Sequence, residues 1–111
     1  MVTTAPARGD IVLVQFFPQR GKEQAGRRPA LVLSPQSYNA KVGLAIACPI
    51  TGKAKGYPFE VALPKTMRTK GVVLADHIKS IDWQARGARF IESGPPSLLS
   101  AVLEKLELLL A

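Results

Sequence analysis

A short segment between two apolar runs sets a carboxylate beside arginines. The segment, GKEQAGRRP at residues 21–29, contains Glu23 and, five positions later, Arg28. Nearby positive charges favour the ionised form of a carboxylate, which makes Glu23 a candidate general base. A guanidinium can stabilise negative charge that develops on a phosphate, so Arg28 is a candidate for that role. The commoner use of such residues is a solvated ion pair on a loop, and this segment alone does not decide between the two.

A second polar segment combines a hydroxyl group, lysines and aromatic rings. Its sequence is PITGKAKGYPFEV, at residues 49–61. Thr51 can donate a hydrogen bond to a phosphate oxygen, while Lys53 and Lys55 can neutralise a nucleic-acid backbone. Tyr57 or Phe59 can stack on an unpaired base. The alternative is a polar turn with Phe59 in the core. The pattern favours this alternative for Phe59 and leaves both interpretations open for the lysines.

The third polar segment, ADHIKSIDW at residues 75–83, contains the single histidine of the chain, His77. Because no cysteine or second histidine is nearby in the sequence, the segment does not predict a zinc site. A hydrogen-bonded turn histidine is the commoner role, and titration within a site is the alternative. Asp76, Lys79 and Ser80 are predicted to be base-recognition or structural polar groups. They lack the strand–turn–helix setting of a nucleophile elbow.

The positive charge of the chain is concentrated in its middle. The 111 residues carry a formal net charge of +7, with a pI of about 10.0. Between residues 20 and 70, ten lysines and arginines stand against two acids, a local balance of +8. Such a surface attracts polyanions. A nucleic acid or an acidic partner is therefore one interpretation, and a small protein kept in solution by its lysines is the other.

Composition and motifs argue against several other classes. With 47% hydrophobic and 21% charged residues, the chain is typical of one globular domain, predicted to span residues 1–111. No apolar run approaches the roughly 18 residues that span a bilayer, and the N-terminus predicts no signal peptide. A single cysteine, Cys48, excludes a disulfide framework and favours the cytoplasm. The sequence has no P-loop, dinucleotide motif or metal-ligand cluster, so neither a cofactor nor a metal is predicted.

The rest of the sequence predicts the elements that hold these segments. Short runs of β-branched and aromatic residues, separated by glycine and proline, predict five or six strands. They lie at residues 11–17, 30–34, 44–50, 59–63, 72–75 and 78–83, with one helical turn predicted at 35–39. Short strands at this spacing predict a small, strongly curved sheet or an open barrel.

A leucine-rich segment closes the sequence. After Pro95 and Pro96, SLLSAVLEKLELLL repeats apolar residues at helical spacing. The predicted stripe contains Leu99, Val102 or Leu103, Leu106, and Leu109 or Leu110. Its simplest role is to cover one end of the barrel, and the surplus leucines leave contact with a second subunit as an alternative. The predicted fold class is mainly β with a C-terminal α-helix.

Several segments, taken in order, resemble the MazF/PemK family of type II toxins: GDIVLVQFFP, GKEQAGRRPALVLSP, ACPIT, KGYPFEVAL and VVLADHIKSIDW. The resemblance continues through ARGARF and the C-terminal helix, so it covers nearly the whole chain from Gly9 onwards. The family consists of sequence-specific endoribonucleases. The resemblance implies a small SH3-like barrel of the PemK/CcdB type that forms a homodimer, with RNA bound in grooves near the dimer interface.

The resemblance also implies a mechanism. In the family, a ribose 2′-hydroxyl of single-stranded mRNA attacks the adjacent phosphate without a metal, leaving a 2′,3′-cyclic phosphate and a 5′-hydroxyl. The catalytic acid, arginine and threonine of the family fall on Glu23, Arg28 and Thr51. The identity of the general acid stays open, because arginine remains charged and is a poor proton donor. The other residues predicted to contact RNA are Lys22, Gln24, Arg27, Lys53, Lys55, Tyr57, Asp76, His77, Lys79 and Ser80.

Partners follow from the same resemblance. It implies a cognate antitoxin whose acidic, flexible C-terminal segment covers the RNA groove, and the +8 region is a suitable docking surface for such a segment. Two alternatives remain for the function. One is a toxin of the same fold that inhibits a protein target such as DNA gyrase, and the other is a non-catalytic RNA-binding barrel. The presence of Glu23, Arg28 and Thr51 together favours the endoribonuclease.

Overall fold

The computed structural model describes residues 4–15 and 27–111. Seven strands, two α-helices and one 3-10 turn lie in these ranges. The strands are β1 (Asp10–Val14), β2 (Arg28–Val32), β3 (Ala45–Thr51), β4 (Glu60–Ala62), β5 (Val72–Leu74), β6 (Lys79–Ile81) and β7 (Arg89–Ser93). The helices are α1 (Gln36–Val42) and α2 (Pro96–Leu110), and the 3-10 turn is Ala75–His77. The predicted fold class, mainly β with a C-terminal helix, is confirmed.

The strands form one curled antiparallel sheet in the order β4–β5–β3–β2–β1–β7. Strand β3 turns the corner of this sheet, because different strands pair with its two halves. Residues 45–47 pair with β6, whereas Ile50 and Thr51 pair with β5. A strand that changes partners along its length lets a sheet fold over on itself. The predicted strong curvature of the sheet therefore has its origin in β3.

Both faces of the central strands are buried, each in its own apolar cluster. Along β1, Ile11 lies in the first cluster, whereas Val12 and Val14 lie in the second. Neighbouring side chains on a strand point to opposite faces, so the chain supplies both clusters at once. Burial on both faces explains why the sequence shows continuous apolar runs and not an alternating pattern. Helix α2 packs on the first cluster, and Trp83 belongs to the second.

Helix α2 contributes a buried stripe that begins one residue earlier than predicted. Leu98, Val102 and Leu106 are buried, while Leu99 is partly buried beside the same cluster. Gly94 lies beside the start of this stripe, where a β-carbon would be 3.2 Å from a Leu98 methyl carbon. The missing side chain leaves room for Leu98 to enter the core. The exposed leucines of α2 are Leu103, Leu108, Leu109 and Leu110. Leu109 and Leu110 were the two residues predicted for the end of the stripe.

Strand β7 is absent from the strands that the sequence predicts. It lies at the edge of the described sheet, where β1 is its partner. Its sequence, RFIES, lacks a buried apolar run, and the Phe90 side chain is 62% exposed. The helical turn predicted at 35–39 is present as α1 but continues to Val42. It ends at Gly43, whose φ of +82° is the left-handed conformation that commonly closes a helix.

Glu92 on β7 fixes the connection between β4 and β5. Its carboxylate accepts hydrogen bonds from the Arg68 amide at 3.2 Å, the Thr69 amide at 2.7 Å and the Thr69 hydroxyl at 2.6 Å. The hydrogen bond from the Thr69 hydroxyl, supported by the two amides and the charge of Arg68, lowers the pKa of Glu92. A lowered pKa in the folded state gives stability that is present at neutral pH and is lost as the pH falls through that pKa.

Candidate active site

The pairing of β2 with β3 brings Arg28 and Thr51 together. In this antiparallel pair Ala30 lies opposite Pro49, and Arg28 and Thr51 are each two positions from these residues on their own strands. Side chains two positions apart on a strand point to the same face of a sheet, so Arg28 shares the face of Ala30 and Thr51 shares the face of Pro49. The two side chains also line the same cavity. A basic group and a hydroxyl group that are distant in sequence thus meet at one site.

This cavity, the basic pocket, has a volume of about 400 Å³. It is lined by Arg28, Pro49, Thr51, Lys53, Lys55, Tyr57, Glu60, Leu74, His77 and Lys79. One arginine and three lysines therefore surround a single carboxylate among the described lining residues. Concave surfaces lined mainly by one sign of charge concentrate ligands of the opposite charge. A larger cavity of about 830 Å³ beside α2 contains none of the predicted site residues.

The basic pocket collects most of the predicted site residues that have described positions. Those that line it are Arg28, Thr51, Lys53, Lys55, Tyr57, His77 and Lys79. Those described but outside the lining are Arg27, Asp76 and Ser80. Lys22, Glu23 and Gln24 lie outside the described residues. Three further lining residues were not predicted from the sequence: Pro49, Glu60 and Leu74.

Backbone geometry separates the residues of the third polar segment. Lys79 and Ser80 are neighbours on β6, and neighbouring side chains on a strand point to opposite faces, so Lys79 alone of the two lines the pocket. In the 3-10 turn, His77 lines the pocket and Asp76 does not. His77 Nε2 and Asp76 Oδ1 are 3.9 Å apart, and both side chains are exposed, so this pair contributes little to stability.

The local backbone holds the Thr51 hydroxyl in place. Its oxygen accepts a hydrogen bond from the Lys53 amide at 3.2 Å. A hydroxyl that accepts a hydrogen bond keeps its own proton available, so Thr51 can still donate to a phosphate oxygen. Gly71 allows β5 to approach this point, because a β-carbon there would overlap the Thr51 carbonyl oxygen. The φ of Gly71, +119°, also favours glycine.

The two aromatic residues of the second polar segment have different settings. The Tyr57 side chain is 59% exposed and lines the basic pocket, so its ring is accessible to an incoming base. Phe59 is half-buried and outside the lining, and its carbonyl oxygen accepts the Ala75 amide at 3.1 Å. The sequence pattern predicts Phe59 in the core, whereas the structure leaves it half-buried and outside both apolar clusters.

Arg27 is held by a turn before β7. Its Nη1 donates to the Gly87 carbonyl oxygen at 2.8 Å. In the same turn, Arg86 Nη1 donates to the Gln15 carbonyl oxygen at 2.9 Å, and the Gln15 amide contacts the Arg86 carbonyl oxygen at 3.3 Å. Gln15 and Arg27 are therefore both hydrogen-bonded to residues 86–87. Arg27 thus has a structural contact in addition to its predicted role in RNA binding.

Cys48 is not equipped to act as a nucleophile. Burial, with a smaller contribution from the negative charge of Asp76, raises the pKa of its thiol to about 12. Its sulfur lies 3.6 Å from the Ala75 carbonyl oxygen, within the core. The thiolate is the reactive form of cysteine, so this thiol is inert at neutral pH.

Two further features bear on the class of protein. Within residues 4–15 and 27–111, no group of three or more histidine, cysteine, aspartate or glutamate side chains is placed to hold a metal ion. No helix in the same ranges is long and apolar enough to cross a membrane.

The curled sheet and the basic pocket define a small β protein with a cationic site suited to a polyanion. A protein-family model described as the PemK-like, MazF-like toxin of type II toxin–antitoxin systems matches residues 7–110. The chain is 48% identical over 105 residues to the endoribonuclease toxin MazF of Escherichia coli K12, covering 95% of this chain and 94% of the relative. It is 36% identical over 107 residues to the Escherichia coli endoribonuclease PemK, covering 93% and 80% of the two chains.

Solved structures give the same result. MazF of Deinococcus radiodurans superposes with a TM-score of 0.87 at 53% identity, covering 96% of each chain. A structure of the MazE–MazF complex from the same organism gives a TM-score of 0.91 at 53% identity, with the same coverage. The chain therefore belongs to the PemK-like, MazF-like toxins of type II toxin–antitoxin systems, as its sequence predicts.

Proposed function

We propose that the basic pocket binds a scissile phosphate of single-stranded mRNA and promotes its cleavage by the neighbouring ribose. In this reaction the 2′-oxygen forms a bond to phosphorus and the bond to the 5′-oxygen of the next nucleotide breaks. The products are a 2′,3′-cyclic phosphate and a 5′-hydroxyl. The proton of the 2′-hydroxyl leaves to a base, and the departing 5′-oxygen gains a proton. The overall reaction needs no oxidant, reductant or cofactor.

The endoribonuclease activity itself follows from family membership. Relatives at 48% and 36% identity, aligned over nearly the whole chain, are named endoribonucleases. The predicted function, an endoribonuclease toxin of a toxin–antitoxin system, is therefore confirmed. The assignment of residues to steps of the reaction is the proposal.

The position of Arg28 and Thr51 in one pocket carries this assignment. The guanidinium of Arg28 can form two parallel hydrogen bonds to phosphate oxygens and stays charged throughout the reaction. The Thr51 hydroxyl, which already accepts a hydrogen bond from the Lys53 amide, donates a hydrogen bond to the same phosphate. Both groups stabilise the negative charge that develops as phosphorus gains its fifth bond. Glu23 is the proposed base for the 2′-hydroxyl proton, and no residue is assigned as the general acid.

The other residues around the basic pocket are proposed to bind RNA on either side of the cleaved bond. Lys53, Lys55 and Lys79 neutralise neighbouring phosphates, and the exposed ring of Tyr57 stacks on a base. The remaining proposed contacts come from Lys22, Gln24, Arg27, Asp76, His77 and Ser80. Contacts to base edges determine which sequence is cut, whereas contacts to phosphates set the affinity.

The proposed partners follow from the relatives. In Deinococcus radiodurans, MazF is found in a complex with MazE. We infer that this chain binds a cognate antitoxin, whose acidic C-terminal segment competes with RNA for the basic pocket. The chain is further proposed to be a single domain that forms a homodimer and acts in the cytoplasm, where its mRNA substrate is found.

The end groups of the products test the proposed chemistry. Purified protein is expected to cut a long single-stranded RNA at specific sites at an undiminished rate in excess EDTA. Mapping the 5′ ends identifies the sites, and mass spectrometry of the 3′ ends is expected to show 2′,3′-cyclic phosphates. Products with 5′-phosphates, or activity that returns only when a divalent cation is added, would contradict the mechanism.

Replacement of Thr51 tests whether its hydroxyl donates to the phosphate. Thr51→Val keeps the shape of the side chain but removes the donor, and kcat is expected to fall about 100-fold, as for the loss of one donor to a developing oxyanion. Thr51→Ser keeps the hydroxyl and is expected to retain activity within about 10-fold, with a loosely held rotamer as the cost. Single-turnover kinetics of the two variants measure the difference. Equal rates would show that the hydroxyl takes no part.

A further inference from the structure

Glu60 opposes the charge of the site that it lines. Among the described residues around the basic pocket it is the only acid, and the pocket otherwise presents one arginine and three lysines. A carboxylate close to a bound RNA backbone repels it, which weakens binding. A residue with this effect in an RNA site needs a compensating role. Its hydrogen bonds indicate what that role is.

Both oxygens of the Glu60 carboxylate are engaged by the backbone of the preceding loop. The Lys55 amide lies 3.0 Å from Oε2 and 3.3 Å from Oε1, and the Gly56 amide donates to Oε1 at 3.0 Å. Hydrogen bonds between an amide and a carboxylate are stronger than those between neutral groups. The carboxylate thus fixes two consecutive peptide groups, and their dipoles offset part of its negative charge.

The rest of the loop is arranged around these contacts. The Glu60 amide closes a turn onto the Tyr57 carbonyl oxygen at 3.2 Å, and Gly56 has a φ of +80°, which permits the tight reversal. Glu60 itself is anchored as the first residue of β4, where it pairs with Leu74 of β5. The loop therefore gains a fixed conformation from a residue that the sheet already holds. Lys55 and Tyr57, the side chains that this conformation displays, both line the basic pocket.

We propose that Glu60 is a positioning residue for RNA binding, which holds residues 53–57 so that Lys53, Lys55 and Tyr57 face the substrate. It acts through the Lys55 and Gly56 amides and does not contact RNA. The inference rests on the proposed function of the basic pocket, because it assumes that RNA lies there. By positioning the loop, Glu60 strengthens RNA binding, whereas its negative charge alone would weaken RNA binding.

This difference in sign makes the proposal testable. Glu60→Ala raises the net charge by one unit, so electrostatics alone predicts tighter RNA binding. Loss of the loop conformation predicts weaker binding, because the lysines and the tyrosine must then be ordered by the RNA itself. We expect affinity for RNA to fall about 10-fold, and KM in cleavage to rise more than kcat falls. Glu60→Gln keeps one acceptor oxygen and is expected to lie between Glu60→Ala and the wild type.

Glu92→Ala is the matched control. Glu92 also fixes two consecutive backbone amides through its carboxylate, but it is outside the lining of the basic pocket. Its replacement makes the same change in charge and removes a comparable loop contact. We expect Glu92→Ala to lower the melting temperature while its affinity for RNA equals or exceeds that of the wild type. A general loss of stability would therefore affect both variants, whereas loss of positioning affects only those at Glu60.

The affinity measurement does not depend on catalysis. Fluorescence anisotropy with a labelled pool of short 2′-O-methyl RNA, which lacks the attacking hydroxyl, gives Kd for all four proteins over a series of salt concentrations. Loss of up to two lysine–phosphate contacts is expected to reduce the slope of log Kd against log salt by up to about 1.4 in Glu60→Ala. Circular dichroism identifies any variant that fails to fold, in which case Glu60→Gln supplies the comparison.

The outcomes separate two hypotheses. The positioning role is overturned if Glu60→Ala binds RNA as tightly as Glu92→Ala or more tightly. The same result with a folded Glu60→Gln would also overturn it. If the wild type binds the RNA pool but cuts no RNA, the proposed cleavage chemistry fails while the positioning role is still measured. If weaker binding appears at Glu60 alone, with a reduced salt slope, the positioning role is supported.

Discussion

An RNA that carries a single 2′-deoxy nucleotide on the 5′ side of the cleaved bond is expected to remain uncut. The proposed reaction uses the 2′-oxygen of that nucleotide as its nucleophile, and the deoxy sugar has no oxygen to replace it. A neighbouring hydroxyl gains much of its reactivity from being held close to the phosphorus, and an intramolecular nucleophile can be worth about 7–11 kcal/mol relative to a separate molecule. Water from solution therefore does not restore the rate.

The measurement compares three oligonucleotides of the same sequence. One is all ribose, one has the 2′-deoxy nucleotide at the cleaved position, and one has it a nucleotide further along. The first and third are expected to be cut at similar rates, while cleavage of the second falls below detection. Similar Kd values for all three would show that the missing hydroxyl affects chemistry and not binding. Cleavage of the second oligonucleotide would identify water or a protein group as the nucleophile.

Elements with a strong periodic pattern were predictable from the sequence, whereas features that depend on tertiary contacts were not. The C-terminal helix was predictable because leucines at helical spacing carry a strong periodic signal. Strand β7 carries no such signal, since an edge strand with Phe90 exposed does not need an apolar run. The stripe of α2 was predicted correctly at Val102 and Leu106, but it begins at Leu98, which packs close to Gly94, and not at Leu99. Local periodicity does not contain that tertiary contact.

The candidate site shows the same limit. Arg28 and Thr51 were singled out for their chemistry and by family resemblance, but only the pairing of β2 with β3 brings them to one pocket. Glu60 was missed because it occupies a short strand-like run, and its role depends on a turn that brings the Lys55 and Gly56 amides to its side chain. A carboxylate that binds the backbone leaves no pattern in sequence. Sequence therefore identifies reactive groups more readily than the residues that position them.

The fold alone does not distinguish an endoribonuclease from the two alternatives predicted with it. Inhibition of a protein target such as DNA gyrase would not require Arg28 and Thr51 to lie together at one cationic pocket. A non-catalytic RNA-binding barrel would require the lysines but not the Thr51 hydroxyl. The names of the relatives with high identity favour the endoribonuclease. Measuring how much Arg28 contributes to the chemical step is therefore the sharpest test of the proposed cleavage mechanism.

Replacement of Arg28 by alanine is expected to lower kcat at least 1000-fold, a loss of about 4 kcal/mol of transition-state stabilisation. Arg28 is exposed at the start of β2, so its truncation is expected to change the free energy of unfolding by only about 0.5 kcal/mol. Arg28→Lys keeps the charge but loses the planar pair of donors, and about 100-fold of activity is expected to be lost. A circular dichroism melt of each variant verifies that the fold is intact.

Arg89→Ala is the control for loss of one positive charge. Arg89 is an exposed residue of β7 and is not part of the basic pocket, so its replacement makes the same change in net charge without removing a phosphate ligand. Its effect is expected to be limited to a few-fold weaker RNA binding that vanishes at high salt. The loss of activity in Arg28→Ala is expected to be larger than that in Arg89→Ala and to persist at high salt. If Arg28→Ala cut RNA at the same rate as Arg89→Ala, the active site would have to lie outside the basic pocket.

The division of the Arg28 effect between kcat and KM decides what the guanidinium does. If it only holds the RNA, binding of the substrate and of the transition state weaken equally, so KM rises and kcat is preserved. If it stabilises charge that appears as the 2′-oxygen attacks, kcat falls and KM changes little. The second result is expected, because Thr51 and three lysines, which are also proposed to bind RNA, line the same pocket and remain when Arg28 is removed. Single-turnover kinetics over a range of enzyme concentrations measure this division free of product release, because the limiting rate reports the chemical step and the half-saturating concentration reports binding.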